Sequence, residues 1–365
     1  MARAMVDYFS LQEQMRRCHV PGVAGAVITG DQVHEFAVGV RSAESPEPVT
    51  LTSRFQAASI SKPLASLAML RLVDAGVLDL DRDVNTYLGS WQVPASSLGS
   101  VTLRQLASHS AGLGVSGFPG YGRFDQVPSL IEILDGSAPA NTGPVRVESV
   151  PGERFRYSGG GTVIMQLVLE EVTGEPFHDL VARLVLEPLG MVHSSYRQPP
   201  DDEIRSEAAV GHDESGAAIK GDWHVYPEQA AAGLWTTAGD LARYVQWLNG
   251  AGSPSDDQQL LIPETFDQML TPQTPTDEEA RVGGLDAMGI GPFVRVTPHG
   301  VDYVGHSGGN AGFRCHLLAH RSDGTGAVVL TNGDGGYPLL VEIFDAIARC
   351  QRWTDYPYGA PDRGR

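Results

Sequence analysis

The sequence predicts an α+β fold: an antiparallel sheet built from N- and C-terminal segments and flanked by helices, with a mostly helical region inserted between them. Two observations lead there. Strand-like segments gather at both ends of the chain, and helical spacing fills the middle. A lone hairpin is not stable in water, so the terminal strands have to meet in one sheet. No internal repeat, heptad run or low-complexity tract offers another architecture.

Taken in order, residues 9–18 read as a short helix, and 23–29 and 33–40 as a β-hairpin about a Gly30-Asp31 turn. Residues 63–75 carry Leu64, Leu67, Leu70 and Val73 at intervals of three, with Pro63 in the first turn and Gly76 just past the end, which specifies an amphipathic helix. Helical spacing recurs over 103–108, 162–172, 177–186, 238–248 and 263–270, separated by Gly/Pro/Ser segments such as 114–122. Strands return at 288–296, 301–304 (after a turn at Pro298-His299-Gly300), 314–319 and 327–331. An apolar helix over 339–350 closes the chain. The expected organisation is a single domain, 1–365, with an α/β part (1–79 with 271–365) and an inserted, mostly helical part (80–270).

Composition narrows the functions. At 365 residues, 42% hydrophobic and 19% charged, the chain can bury a large core, which argues against disorder. A formal charge of -18 repels nucleic acid over most of the surface. Cys18, Cys315 and Cys350 form no CxxC pair and are expected as buried thiols, so neither a disulfide framework nor a cysteine zinc site follows. No run approaches the ~18 uninterrupted apolar residues of a membrane span, and the first residues lack a signal peptide's basic, apolar and small-residue pattern. The expectation is a cytoplasmic protein with a small-molecule substrate, no nucleic-acid or membrane partner, and no metal or other cofactor.

Chemistry concentrates at Ser59-Ile60-Ser61-Lys62. An i,i+3 spacing at the start of a helix puts Ser59 and Lys62 on one face. A serine hydroxyl is a poor nucleophile until a neighbour takes its proton, and a lysine whose pKa is depressed by burial can do so. The helix N-terminus would also stabilise negative charge forming at the serine. Alone, the pattern is equally served by a capping serine beside a solvated lysine.

Two further segments supply context: Tyr157-Ser158-Gly159 in a glycine-rich turn ahead of a helix, and His306-Ser307-Gly308-Gly309 near the C-terminus. SxxK, Tyr-Ser-Gly and His-Ser-Gly in this order resemble the serine β-lactamase and penicillin-binding-protein superfamily, nearest its class C-like branch. That branch includes β-lactamases, D-Ala-D-Ala carboxypeptidases, D-aminopeptidases, carboxylesterases and some acyltransferases. The likeness spans most of the chain, with support from Arg54-Phe55-Gln56-Ala57-Ala58, from Leu106-Ala107-Ser108-His109-Ser110-Ala111-Gly112-Leu113, and from Ala232-Gly233-Leu234-Trp235-Thr236-Thr237-Ala238-Gly239-Asp240-Leu241.

The resemblance implies a β-lactamase/transpeptidase-like fold and a division of labour. Ser59 would be the nucleophile, Lys62 would ease its deprotonation, and Tyr157 would act with Lys62 as general base and later activate the acceptor. His306 would orient the tyrosine and contact substrate. The backbone N–H groups of Ser59 and Gly309 would form the oxyanion hole, with Ser307 and Gly308 beside the substrate. Two departures stand out: Ser158-Gly159 replaces the usual x-Asn after the tyrosine, and His306 replaces the lysine of Lys-Thr-Gly. The first removes an amide that binds substrate amides, and the second removes a permanent cation. Both lean towards carboxylic esters or less acidic acyl groups, although carboxypeptidase relatives also carry a histidine at the third motif. Alternatives are a β-lactamase or D-amino-acid peptidase, a biosynthetic acyltransferase, and a silent binding protein of the same fold.

Gly305-His306-Ser307-Gly308-Gly309 also fits the GxSxG elbow of α/β-hydrolases. That elbow needs a following helix, whereas 313–319 reads as strand, and the only later histidines are His316 and His320. His109 is expected to hold a loop near the site. Asp79, Asp81 and Asp83 lack the spacing of a calcium loop. Among Trp223, His224, Tyr226, Trp235 and Trp247, the pair Trp223 and Tyr226 is expected to contact substrate, because it lies in a loop before a glycine-rich turn; Trp247 in a helix is expected as core.

Overall fold

The computed structural model describes residues 8–250, 259–276, 284–298 and 300–356. Helix α1 (Tyr8–Arg17) leads into the hairpin β1 (Gly22–Thr29) and β2 (Gln32–Gly39), paired from Gly22↔Gly39 to Thr29↔Gln32 about the Gly30-Asp31 turn. After β3 (Phe55–Gln56) and a 3-10 turn (Ala58–Ile60) comes α2 (Ser61–Asp74). The middle holds α3 (Leu103–Ala107), β4 (Tyr121–Gly122), α4 (Leu130–Asp135), α5 (Gly159–Thr173), α6 (Phe177–Val181), α7 (Asp202–Glu207), β5 (His224–Val225), α8 (Gln229–Ala232), β6 (Trp235–Thr236), α9 (Ala238–Leu248) and α10 (Pro263–Leu270). The chain ends in β7 (Thr274–Pro275), β8 (Ala287–Met288), β9 (Phe293–Thr297), β10 (Gly300–Asn310), β11 (Phe313–His320), β12 (Thr325–Thr331) and α11 (Gly336–Gln351).

One eight-stranded antiparallel sheet, ordered β2-β1-β12-β11-β10-β9-β8-β7, joins the two ends of the chain as expected. The seam is β1 against β12, running from Val23↔Thr331 to Thr29↔Thr325. Both faces are covered, and the alternation along β1 shows how. Ala24, Ala26 and Ile28 join the large core under α2 and α5, while Val23 and Val27 pack with Leu11 and Met15 of α1 and Leu339, Ile343 and Ile347 of α11. Helix α9, although part of the middle segment, packs on the sheet against β1 and β12.

Three local expectations differ from the structure. The span 288–296 is not one strand: Gly289 N–H donates to Pro292 O at 2.9 Å, turning β8 back against β9, and Gly291 takes a φ of 109° that a non-glycine residue resists. The short strand expected at 301–304 extends to Asn310, so the His-Ser-Gly segment lies inside β10 rather than after it. Of the three cysteines only Cys315 is buried; Cys18, in the turn after α1, is half-buried against the core, and Cys350 lies on the exposed face of α11. The expected turn at 298–300 includes His299, which lies outside the described residues.

Close packing of β10 on the 3-10 turn brings the two ends of the site together. A Cβ at Gly308 would come within 2.3 Å of Ala57 O and 2.5 Å of Cys315 Sγ. Gly308→Ala is therefore expected to destabilise the protein by about 1–3 kcal/mol, as overpacking does, seen as a lower urea midpoint with an unchanged m-value. An unshifted midpoint would show that the strand and turn can part freely.

Candidate active site

The site starts from the 3-10 turn ahead of α2. Ala58 holds a φ of +48°, a left-handed conformation that costs an alanine energy and survives only where surrounding bonds fix it. Those bonds are present. Ala57 N–H donates to Leu234 O (2.8 Å), the Cys315 thiol donates to Ala57 O (3.0 Å), and the Ser61 hydroxyl donates to Ala58 O (2.5 Å) while accepting from Leu234 N–H (3.0 Å). Ser59 sits at the centre of this braced turn.

Lys62 follows one turn later. Its Nζ lies 3.0 Å from Ser59 Oγ and donates to Ala231 O at 2.8 Å. The side chain is buried, and burial pushes its pKa down from 10.5 to about 7. Near neutrality the amine and the ammonium are therefore both populated.

Tyr157 arrives from the loop before α5, where the Ser158 hydroxyl caps the helix by accepting from Gly161 N–H at 3.0 Å. Its phenol interacts with Ser59, its ring centre lies 5.1 Å from Lys62 Nζ, and burial raises its pKa. The Ser59 hydroxyl pulls that pKa the other way, but burial dominates. Tyr157 is thus a phenol, able to donate or relay a proton, and not a standing phenolate. The ring is packed between His109 (centroids 4.2 Å apart) and Phe293 (6.3 Å, near-parallel).

His306 projects from β10 to the same place, with ring centroids 6.3 Å from Tyr157 and 5.1 Å from Phe293. Burial and then the Lys62 charge lower its pKa to about 3. Its Nδ1 lies 2.5 Å from Ser307 O. A carbonyl only accepts, so the proton is on Nδ1 and Nε2 remains a buried acceptor without a partner. The histidine here is neutral, unlike the lysine it replaces.

A cavity of about 390 Å³ opens onto Ser59, Tyr157, His306, Ser307, Gly308 and Gly309, with Phe155, Phe293 and Tyr337 as apolar walls and Arg314 at one side. Arg314 Nη1 is held by Asp334 (2.9 Å) and donates to Asn310 O (2.7 Å). Ser307 Oγ pairs with His316 Nδ1 at 2.7 Å, and burial lowers the His316 pKa to about 4. Ser307 lies within β10 and β11 follows it, so the strand-to-helix elbow of an α/β-hydrolase is absent there.

The structure brings Ser59, Lys62, Tyr157, His306, Ser307, Gly308 and Gly309 together. It does not bring Trp223 and Tyr226 to the cavity. Trp223 is buried beneath Arg123, whose guanidinium lies 4.6 Å from the ring, and edge-on to Trp235. Tyr226 is fully buried; its hydroxyl accepts from Ala311 N–H at 3.0 Å and donates to Pro119 O at 3.4 Å. The loop folds inward, so its aromatics brace the strand turn after Gly309 instead of meeting solvent. Phe155, Phe293, Arg314 and Tyr337 are the lining residues that sequence reasoning missed. Only Phe155 carries a signal, two residues before Tyr157. Among the described residues, no group of three His, Cys, Asp or Glu side chains is arranged to hold a metal, and no helix is long and apolar enough to cross a membrane.

An antiparallel sheet that meets a helical region at a Ser-Lys-Tyr cluster is the architecture of the β-lactamase-like serine-hydrolase superfamily. The Beta-lactamase family model matches residues 10–349, and the chain belongs to that family. It is 27% identical over 341 residues to penicillin-binding protein 4 of Amycolatopsis lactamdurans, covering 89% of this chain and 84% of that protein. Among solved structures it is similar to the octameric penicillin-binding protein homologue from Pyrococcus abyssi (TM-score 0.77, 24% identity, 95% of this chain and 78% of that one). It is also similar to the class C beta-lactamase from Rhodobacter sphaeroides (TM-score 0.74, 19% identity, 96% and 99%). These likenesses establish the fold.

The buried amine has a thermodynamic signature. With a pKa near 7 folded and 10.5 unfolded, the native state binds fewer protons between these limits, so this group makes stability rise with pH across that window. Lys62→Met is expected to raise Tm at pH 6 and to lose the advantage as pH climbs towards 10.5. Calorimetry checks it. A Tm difference independent of pH would show that the amine is not desolvated in the folded protein.

Proposed function

We propose that the protein is a serine hydrolase that forms an acyl-enzyme at Ser59 and acts on carboxylic esters or related small acyl substrates. The observation that carries this is the 3.0 Å contact between Ser59 Oγ and a buried Lys62 whose pKa has fallen to about 7. In its amine form Lys62 takes the Ser59 proton as Oγ attacks the acyl carbon. The backbone N–H groups of Ser59 and Gly309 receive the charge forming on the carbonyl oxygen. Tyr157, interacting with Ser59 and packed over Lys62, relays that proton to the leaving group. The relay then runs in reverse, taking a proton from the water that releases the acyl group.

Support for uncharged acyl substrates comes from the walls. Phe155, Phe293 and Tyr337 offer apolar surface, and His306 beside them is neutral at physiological pH. A second reading, a peptidase or β-lactamase acting on carboxylate-bearing substrates, is favoured by one feature, the Arg314 guanidinium at the cavity wall. Acyl transfer to an alcohol or amine uses the same nucleophile, and added acceptors would divert the product from acid to ester or amide.

Two tests follow. p-Nitrophenyl butyrate is expected to leave a butyryl mass on Ser59, absent in Ser59→Ala, with acylation slowed about 10²–10⁴-fold in Lys62→Met and Tyr157→Phe. Nitrocefin turnover matching ester turnover would overturn the ester preference, and no adduct from any ester or β-lactam would overturn the hydrolase. The acylation rate should also rise tenfold per pH unit below about 7 and level off above it, as Lys62 loses its proton. Because burial keeps His306 and His316 neutral above pH 5, a limb centred near 4 would assign the base to a histidine instead.

A further inference from the structure

His109 touches every residue from Phe155 to Ser158. Its backbone carbonyl accepts from Arg156 N–H at 2.7 Å, and its ring Nδ1 accepts from Ser158 N–H at 3.2 Å. These two bonds grip the backbone on either side of Tyr157. The imidazole itself lies against the Tyr157 ring, centroids 4.2 Å apart and tilted by 37°, and stands edge-on to Phe155 at 6.1 Å. The residue is buried and holds a φ of +53°, in the left-handed region that few non-glycine residues adopt, histidine among the more frequent. A buried ring that grips the backbone on both sides of a candidate catalytic phenol is placed to set where that phenol sits.

We infer that His109 is a positioning residue for Tyr157, setting the phenol against Ser59 through the Ser158 N–H bond and ring contact. This rests on the acyl-enzyme reading above only for its kinetic arm. Because Nδ1 accepts, the proton sits on Nε2, and the grip exists only for the neutral ring. Burial, followed by the charge of Lys62 when it is protonated, holds the ring in that form. The grip leaves the phenol few alternatives: a displacement of about 1 Å is enough to lower a rate by 10²-fold.

Two substitutions separate the parts of the grip. His109→Asn keeps an acceptor at the Nδ1 position and suits a positive φ, but removes the ring. His109→Phe keeps a ring and removes the acceptor. With p-nitrophenyl butyrate, His109→Phe is expected to lower kcat about 10–100-fold per folded enzyme with KM within threefold, and His109→Asn to recover most of the loss. In a Tyr157→Phe background, His109→Phe should add nothing further, since the group it positions is gone. An arm independent of activity uses 3-fluorotyrosine-labelled protein, with the Tyr157 ¹⁹F resonance assigned by its disappearance in Tyr157→Phe. That resonance should be sharp in the wild type and in His109→Asn, and broadened or doubled in His109→Phe. A resonance unchanged in His109→Phe, or kcat losses that add fully to those of Tyr157→Phe, would overturn the proposal. A wild type that fails to acylate while the resonance responds as expected would overturn the hydrolase reading and leave the positioning role supported.

Discussion

The structure depends on keeping an amine out of water. Lys62 sits in a helix buried on nearly every side, from Ser61 to Leu70, and its partners are a serine hydroxyl and a backbone carbonyl. A charged ammonium in such surroundings is strongly disfavoured, so the site resolves the conflict by moving the proton equilibrium to neutrality. Desolvation alone drives the shift. The apolar core that packs α2 against α5 and the sheet is therefore also what lowers the proton affinity of this amine. Stability and reactivity are in direct opposition at this one side chain.

Three distant stretches of chain must then arrive at one point, and each is secured by backbone contacts rather than by the reactive groups themselves. The Ala58 turn is braced by Leu234 and Cys315, the Tyr157 loop by His109, and β10 by a glycine that lets it lie on Ala57. Preorganisation of this kind removes the reorganisation that a loose site would need at the moment of reaction. It also explains why polar side chains at the site, such as Ser61 and Asn310, spend their hydrogen bonds on backbone or on other scaffold residues.

Much of this was legible in the sequence because it rests on short-range rules. The Ser59–Lys62 spacing follows from helix geometry, the Gly30-Asp31 hairpin from turn chemistry, and α9 and α10 from apolar periodicity with matching ends. Most of what failed had long-range causes. The burial of Trp223 and Tyr226 is decided by a loop packing on Arg123, Pro119 and Ala311, none of them local. The break between β8 and β9 was signalled by Gly289, Gly291 and Pro292, but apolar flanks masked it. Arg314 and Tyr337 reach the cavity only because β11 and α11 pass beside β10, and no spacing in the chain announces that.

Charge around the cavity gives the site its character. The chain carries -18 overall, so an anionic substrate approaches against the field until it reaches Arg314. There the guanidinium is already shared with Asp334 and with the carbonyl of Asn310, so only part of its capacity faces a ligand. The position of the lysine in the Lys-Thr-Gly pattern is occupied by His306, as in carboxypeptidase relatives that carry a histidine there; its uncharged ring holds one buried acceptor nitrogen without a partner. An acceptor pairs with a substrate N–H or O–H and repels a carboxylate. A neutral acceptor in place of a cation would change which group a ligand has to present at that wall.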